Sequence, residues 1–211
     1  MPEHHAPWNK DRSVGQRLAF SPQELQAIAA TLLDAGEYHD RCLFMVAADS
    51  FLRCSDLLKL KVRDVQHATG EIRTSFDWKQ QKTGTNVHPV LTPHAQAACR
   101  DWIKVSDKHP AHFLFTRTKD NNAAPISASS YRRMVKQWAE LIGLDGEQYS
   151  THSLRRSKPS WMYAQGVSVE DLAQLLGHRS TESTLQYLGL TLAKAQAEAL
   201  KHDIFKPGAK Q

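Results

Sequence analysis

Two long stretches with the hydrophobic spacing of helices enclose a short one, from about residue 62 to 91, with the spacing of strands. At the start of the first stretch, Ser21-Pro22-Gln23-Glu24 combines an N-cap serine, a proline at the first helical position and a glutamate at the third. This pattern predicts a helix to about residue 33. The same reasoning predicts further helices over residues 40–50, 55–60, 92–105, 127–142, 154–165, 168–176, 181–188 and 192–200.

The central stretch predicts strands at residues 62–65, 71–76 and 86–91. A polar segment, residues 77–85, separates the last two and carries Lys79 and Lys82. The expected fold class is therefore mainly α with a small three-stranded antiparallel sheet (α+β), whose hairpin carries a lysine outward.

The length of 211 residues and a composition of 41% hydrophobic and 23% charged residues fit one globular domain with a proper core. We expect an extended basic arm over residues 1–20, a folded body over 21–205 and a tail over 206–211. Lys10, Arg12 and Arg17 would let the arm follow an anionic polymer, although a frayed terminus explains them equally well. The formal net charge of +5 is compatible with an anionic partner.

Other classes of protein find little support in the sequence. The three cysteines are odd in number and widely spaced, which favours reduced thiols over disulfides or a zinc site. An HExxH motif, a Cys/His ligand spacing and a glycine-rich phosphate loop are all absent, so we expect neither a metal nor a nucleotide cofactor. The longest apolar run, residues 43–48, is too short to span a bilayer, and the N-terminus has no signal-peptide pattern. We expect an intracellular protein without a membrane partner.

The most informative motif begins with Thr151-His152-Ser153-Leu154-Arg155. His152 and Arg155 are three residues apart, so both would project from one face of a helix. Leu176-Gly177-His178 follows, with the glycine ending a helix, and Tyr187 comes nine residues after His178. A loop and two helical turns would bring His178 and Tyr187 to one pocket.

Two further motifs lie upstream. Arg53 follows Leu52 and precedes Asp56 and a leucine-rich segment, and Lys82 lies in Gln81-Lys82-Thr83-Gly84 ahead of a strand. Together, in this order and at these distances, the motifs resemble the catalytic domain of the tyrosine recombinase (phage integrase) family. The resemblance covers roughly residues 20–200.

The resemblance implies a site-specific DNA recombinase that integrates, excises or inverts a mobile element through a 3′-phosphotyrosine, without metal or ATP. Tyr187 would be the nucleophile, and Arg53 and Arg155 would neutralise the charge that grows on the phosphate. His152 would be the base, His178 would donate a hydrogen bond to the phosphate or orient the pocket, and Lys82 would protonate the leaving 5′ oxygen.

The expected partner is double-stranded DNA, on which the protein would form a homotetramer; free protein could be monomeric. Accessory DNA-bending proteins are compatible with this assembly. The location would be the cytoplasm of a bacterium, at the nucleoid. Phosphate contacts should come from basic side chains, at Lys59, Lys61, Arg63, Lys79, Arg132, Arg133 and Lys136.

Five of the six site residues also have a structural reading. His152 can be an N-cap neighbour, and Arg53 can brace Asp49 or Asp56. Tyr187 can be a half-buried aromatic, His178 a C-capping residue, and Lys82 a solvated turn lysine competing with Lys79. Two other functions share the same motifs: a DNA-binding accessory protein with a recombinase-like fold, and a type IB topoisomerase-like enzyme.

The sequence also departs from the family pattern. Pro159 should be tolerated only in a first helical turn, which predicts a helix start near Lys158 with His152 and Arg155 just ahead of it. Only about 20 residues precede the body, so we expect a short form lacking the N-terminal core-binding domain of the family. The predicted helix 192–200 could pack on its own domain or dock on a neighbouring protomer.

Overall fold

The computed structural model describes residues 17–116 and 124–190, together with residues 196, 200 and 201. These residues are mainly helical, as the sequence predicts. The helices before the hairpin are α1 (Pro22–Asp34), α2 (Tyr38–Ser50), α3 (Cys54–Leu57) and α4 (Val62–Val65). Those after it are α5 (Pro93–Ser106), α6 (Ala128–Glu140), α7 (Thr151–Ala164), α8 (Val169–Leu176) and α9 (Thr181–Leu188), with a 3-10 turn at Gly146–Gln148.

Helix α2 lies at the centre of the fold and packs against α1, α5 and α7. Nearly every side chain from Arg41 to Ser50 is buried, so this helix is covered on most sides rather than along one stripe. The core continues through α5 and α6, where Trp102 and Trp138 are almost fully buried. Each indole N–H has an acceptor, the carbonyl of Leu114 or the carboxylate of Asp40. Because α7 packs on this rigid centre, its polar face has a fixed position.

The antiparallel sheet is smaller than predicted. In the described ranges it has two strands, β1 (Trp78–Lys79) and β2 (Asn86–Val87), so the prediction of three strands is wrong. The predicted strand 71–76 makes only single bridges, from Ile72 to Gln66 and from Ser75 to Val90. The hairpin nevertheless lies where the lysine segment was expected.

The predicted strand at residues 62–65 is the short helix α4. Its two valines are three residues apart and both are buried, which suits one turn of helix as well as it suits a strand. The Asp64 carboxylate accepts a 2.7 Å hydrogen bond from the Lys61 main-chain N–H and so caps the turn. Four residues are too few to separate the two periodicities, and the local cap decides the outcome.

Helix α7 begins earlier than predicted. Ser150 and Ser153 exchange hydrogen bonds in a capping box, which starts the helix at Thr151 and places His152 and Arg155 inside it. Pro159 therefore lies in the helix interior and cannot donate to the carbonyl of Arg155. Pro159 is buried, and tertiary packing outweighs this local cost.

Residues 17–20 are held against the start of α7. The Phe20 N–H donates to Ser157 Oγ at 2.8 Å, and the Phe20 ring stacks on Tyr149 with centroids 4.2 Å apart. Arg156 donates to the Arg17 carbonyl. Residues 1–16 of the predicted arm, the predicted tail and most of the predicted helix 192–200 lie outside the described residues. Among those described, none of the helices has the length and apolar character that crossing a bilayer requires.

Candidate active site

The hairpin, the start of α3 and the α8–α9 connection surround an open pocket of about 460 Å³. α7 lies behind it and carries Arg155 into contact with Tyr187. The residues that line the pocket are Arg53, Lys82, Thr83, Gly177, His178, Arg179, Ser183, Gln186 and Tyr187. Four of the six predicted catalytic residues are in this set, and the other two, His152 and Arg155, lie on α7.

Arg155 is buried, with 4% of its surface exposed, and its orientation is fixed by main-chain acceptors. Nε donates to the Phe51 carbonyl at 2.6 Å, and Nη2 donates to the Leu176 carbonyl at 3.2 Å. The guanidinium carbon lies 5.1 Å from the centre of the Tyr187 ring. Phe51 ends α2 in the left-handed conformation, with φ 54°. The ends of α2 and α8 therefore position this guanidinium.

Arg53 occupies the N-cap position of α3 and donates a hydrogen bond to Gln80 Oε1. Gln80 Nε2 donates to the Leu176 carbonyl at 3.0 Å, so the same carbonyl accepts from Gln80 and from Arg155. Arg53 and Arg155 are 102 positions apart in the chain (155 − 53). In the fold, the Gln80 amide and the Leu176 carbonyl connect the two guanidiniums, which lie on the same side of the molecule.

Gly177 ends α8 in the left-handed conformation, with φ 64°. A Cβ atom there would lie 2.6 Å from Val87 Cγ1 and 2.8 Å from Gln80 Nε2. Glycine is thus required both by the backbone conformation and by the approach of the hairpin. This turn sets the position of the following residue, His178.

His178 and Tyr187 face each other across the α8–α9 connection. Their ring centroids are 5.3 Å apart and nearly perpendicular, at 84°. His178 Nδ1 lies 3.0 Å from the hydroxyl of the fully buried Thr184. Burial, followed by the positive charges of Arg155 and Arg53, lowers the pKa of His178 to about 4. This imidazole is therefore neutral at physiological pH.

The phenol oxygen of Tyr187 is buried, and the guanidinium of Arg155 lies against its ring. Burial raises the pKa of Tyr187 above its ordinary value, against the opposing effect of Arg155, Arg156 and Arg53. The phenol is consequently protonated in the free protein, and any reaction that uses it as a nucleophile needs a proton acceptor.

His152 lies on the exposed face of α7. Partial burial lowers its pKa, and the positive charges of Arg155, Arg53, Lys82 and Arg156 act in the same direction. Because Arg155, Arg53 and Lys82 all act on its pKa, His152 lies in the same electrostatic environment as these three predicted catalytic residues. It is neutral at physiological pH and can accept a proton.

The structure distinguishes the two lysines of the hairpin. Lys82 is exposed at the tip and lines the pocket, whereas Lys79 lies in β1 opposite Asn86. The tip is held by Arg179, which donates to the Thr83 carbonyl at 3.3 Å.

Gln80 and Arg179 were not predicted from the sequence. Arg179 directly follows the Gly177-His178 motif, which was the one available signal. For Gln80 the sequence offered none, because two of its partners, Arg53 and Leu176, lie 27 and 96 positions away.

The predicted DNA-contacting side chains lie at the surface or partly exposed. Lys59 donates to Gln81 at 2.9 Å, and the ammonium of Lys61 lies 5.3 Å from the Phe113 ring centre. Arg132 lies close enough to Cys54, next to Arg53, to counteract the rise that burial causes in the pKa of that thiol. Lys136 forms an exposed 2.6 Å ion pair with Glu147.

Comparison with known proteins identifies the family and the fold. The model of the phage integrase family matches residues 19–193. The chain is 26% identical to the probable integrase/recombinase YoeC of Bacillus subtilis over 170 residues, covering 81% of this chain and 87% of that protein. It is 30% identical to the tyrosine recombinase XerC of Caldanaerobacter subterraneus over 181 residues, covering 83% of this chain but 48% of that protein.

A solved structure of the XerH site-specific recombinase, a post-cleavage complex with a palindromic difH substrate, has the same fold. The TM-score is 0.68 at 18% identity, over 88% of this chain and 53% of that one. This chain thus spans about half the length of the XerC and XerH proteins. The family match over most of the chain decides its classification: this protein belongs to the phage integrase family, the tyrosine recombinases.

Proposed function

We propose that this protein is a site-specific DNA recombinase that cleaves and rejoins DNA through a 3′-phosphotyrosine at Tyr187. The observation that carries the proposal is the position of both guanidiniums near Tyr187. Arg155 donates to the Leu176 carbonyl directly, and Arg53 is connected to the same carbonyl through the Gln80 amide. Two guanidiniums near one nucleophile suit a phosphodiester, whose charge grows towards the transition state. Removing one such donor typically costs about 10²–10³ in rate.

The proton transfers follow from the protonation states. The Tyr187 oxygen forms the new bond to phosphorus, and neutral His152 takes the phenol proton. The bond from phosphorus to the 5′ oxygen breaks, and Lys82 at the hairpin tip gives that oxygen its proton. Attack by a 5′ hydroxyl reverses every step, so the phosphodiester is restored without ATP and without a metal.

Neutral His178 fits a role as hydrogen-bond donor. The Thr184 hydroxyl has two acceptors within reach, His178 Nδ1 at 3.0 Å and the Ser180 carbonyl at 3.5 Å. The proposed role takes the tautomer in which the hydroxyl donates to Nδ1, so that Nε2 carries the hydrogen and can donate to a phosphate oxygen. A donor of this kind adds no charge to the pocket. His178 would orient the phosphate through a directional hydrogen bond, whereas the arginines would neutralise its charge.

Double-stranded DNA is the proposed partner. The basic side chains that would contact phosphates are exposed or partly exposed. They are Lys59, Lys61 and Arg63 in the α3–α4 region, Lys79 in the hairpin, and Arg132, Arg133 and Lys136 on α6. XerH, the similar structure, is bound to its difH substrate. We propose a tetramer on DNA, integrating, excising or inverting a mobile element.

The test uses a pool of nicked suicide duplexes with a randomised core, in EDTA. Once Tyr187 attacks next to the nick, the short 5′-hydroxyl fragment is lost and the adduct is trapped. We expect a protein–DNA adduct on a denaturing gel, and sequencing of the trapped strands identifies the site.

The control is Tyr187→Phe, which should abolish the adduct and retain the DNA in a native gel. An adduct that persists in this variant would show another nucleophile. DNA retention without any adduct from the whole pool would favour a DNA-binding accessory protein. Relaxation of supercoiled plasmid without strand exchange between two duplexes would favour a topoisomerase-like activity.

A further inference from the structure

Gln80 is a buried polar residue at the centre of the site, although it does not line the pocket. Its side chain is 1% exposed, and it directly follows β1, two positions before Lys82. A buried amide requires partners for its oxygen and for its nitrogen. Gln80 has them on three separate elements.

The carboxamide oxygen accepts from Arg53 and from the Thr83 hydroxyl, the latter at 3.0 Å. The carboxamide nitrogen donates to the Leu176 carbonyl at 3.0 Å, where Arg155 also donates. One side chain thus joins the hairpin, the start of α3 and the end of α8. An amide can do this without neutralising either guanidinium, whereas a carboxylate would cancel part of their charge.

The approach of Gln80 to α8 is tight. A Cβ on Gly177 would lie 2.8 Å from Nε2 and 3.1 Å from Cδ of Gln80. The left-handed glycine therefore leaves the space that the amide occupies. The bridge is consequently part of the packing at this point, rather than a mobile surface contact.

We infer that Gln80 is a positioning residue that couples docking of the Lys82 hairpin to the orientation of Arg53 and Arg155. When the hairpin is docked, Arg53 has its acceptor and the Leu176 carbonyl has both donors. When the hairpin moves away, Gln80 leaves with it and Arg53 loses that acceptor. Docking of the hairpin thereby brings Lys82, the proposed general acid, into the site at the same time as it orients the two arginines. This inference rests on the proposed recombinase function.

The experiment compares two variants with a matched control. Gln80→Met keeps the volume and removes both hydrogen-bonding groups, and Gln80→Asn keeps an amide that is one methylene too short to span Arg53 and Leu176. The control is Gln96→Met, because Gln96 Nε2 also donates to a main-chain carbonyl, that of Leu91, at 2.8 Å. Gln96 lies in α5, outside the site.

Two measurements are made on the full chain. The first is the single-turnover rate of adduct formation with a trapped suicide duplex, beside DNA retention. We expect both Gln80 variants to be slower by about 10²-fold, the usual effect of misplacing catalytic groups, with DNA retention within a few-fold of wild type. Gln96→Met should match the wild-type rate.

The second measurement needs no activity. Trypsin cleavage after Lys82 in the DNA-free protein reports the fraction of hairpin that is open. Loss of the bridging hydrogen bonds should raise the cleavage rate in both Gln80 variants about tenfold, and Gln96→Met should leave it unchanged.

Each outcome decides the inference. Wild-type adduct formation in either Gln80 variant overturns it. A slower rate that is accompanied by a lower melting temperature and a matching loss of DNA retention would indicate partial unfolding. This result also overturns the inference. If wild-type protein forms no adduct, the proposed function fails on its own, and the trypsin result still decides whether Gln80 holds the hairpin.

Discussion

His178 and His152 are both held in the neutral form, by burial and by the positive charges around them. A histidine whose pKa is lowered in the folded state binds its proton less readily than the unfolded chain does. The contribution of His178 to the stability of the fold is therefore fully present above the unfolded pKa, about 6.5. This contribution is lost as the pH falls towards the folded value of about 4.

We expect the free energy of unfolding to fall by about 1–2 kcal/mol more between pH 7 and pH 5 in wild type than in His178→Gln. The range allows for solvent screening of a partly exposed ring. Urea unfolding at several pH values measures it. His67→Gln, at an exposed histidine, is the control and should keep the wild-type slope. Equal slopes for all three proteins would contradict a lowered pKa at His178.

Part of the site could be predicted from residue spacing, whereas Arg53 and Lys82 were predicted from the family resemblance. Arg155, His178 and Tyr187 belong to short motifs in which helix geometry alone brings side chains to one face or one turn. Gln80 was not accessible, because its role depends on a carbonyl 96 positions away in the chain. Local rules identify residues that carry chemistry more readily than residues that orient them.

At the scale of elements, Asp49 joins three helices. In the last turn of α2, its Oδ1 accepts from Lys158 of α7 at 2.8 Å, and its Oδ2 accepts from the N–H of Thr92, the N-cap of α5, at 2.7 Å. The Lys158 ammonium also lies 5.6 Å from the centre of the Phe51 ring. This junction fixes the end of α2, from which the Phe51 carbonyl reaches Arg155.

We expect Asp49→Ala to lower the free energy of unfolding by about 2–3 kcal/mol, because Lys158 and the Thr92 N–H lose their acceptor in a half-buried place. A double-mutant cycle with Lys158→Met should give a coupling of about 1 kcal/mol. Chemical denaturation measures both. Glu147→Ala, at an exposed ion pair, should change stability by less than about 0.5 kcal/mol. A similar small change for Asp49→Ala would show that the junction adds no stability.

The elements were predicted as well as their local signals allowed. Ser21-Pro22 and Thr92-Pro93 mark helix starts that the structure confirms. The Ser21 side chain caps α1, whereas α5 begins at Pro93 and the Thr92 hydroxyl donates to Asp49 instead. The strand at 62–65 was wrong because four residues carry too little periodicity. The start of α7 was wrong because the rule against interior proline ignores the packing that buries Pro159.

At the scale of the whole molecule, binding to DNA should depend on phosphate contacts. Arg132 and Arg133 are adjacent exposed cations on α6, while Lys136 one turn further on has Glu147 as a partner. Each phosphate neutralised adds about 0.9 to the slope of log affinity against log salt. Arg132 and Arg133 should therefore contribute more to the salt dependence of DNA binding than Lys136.

We expect Arg132→Ala/Arg133→Ala to reduce the magnitude of that slope by up to about 2 on a duplex without a target site. Lys136→Ala should reduce it by less than 1. Fluorescence anisotropy over a salt series gives the slopes, and Lys104→Ala, at an exposed cation of α5, is the comparison. An unchanged slope in the double variant would place the DNA on another face.

The carbonyl of Leu176 holds Arg155 by a hydrogen bond that mild acid leaves unchanged. The C-terminal end of a helix carries a partial negative charge, about half an elementary charge. Unlike the carboxylate of an ordinary arginine ion pair, a peptide oxygen takes up no proton in mild acid. The guanidinium of Arg155 is thus restrained by a group that acidification leaves in place and that offsets only part of its charge. The hydrogen bond that orients this guanidinium therefore does not depend on a group that titrates in mild acid.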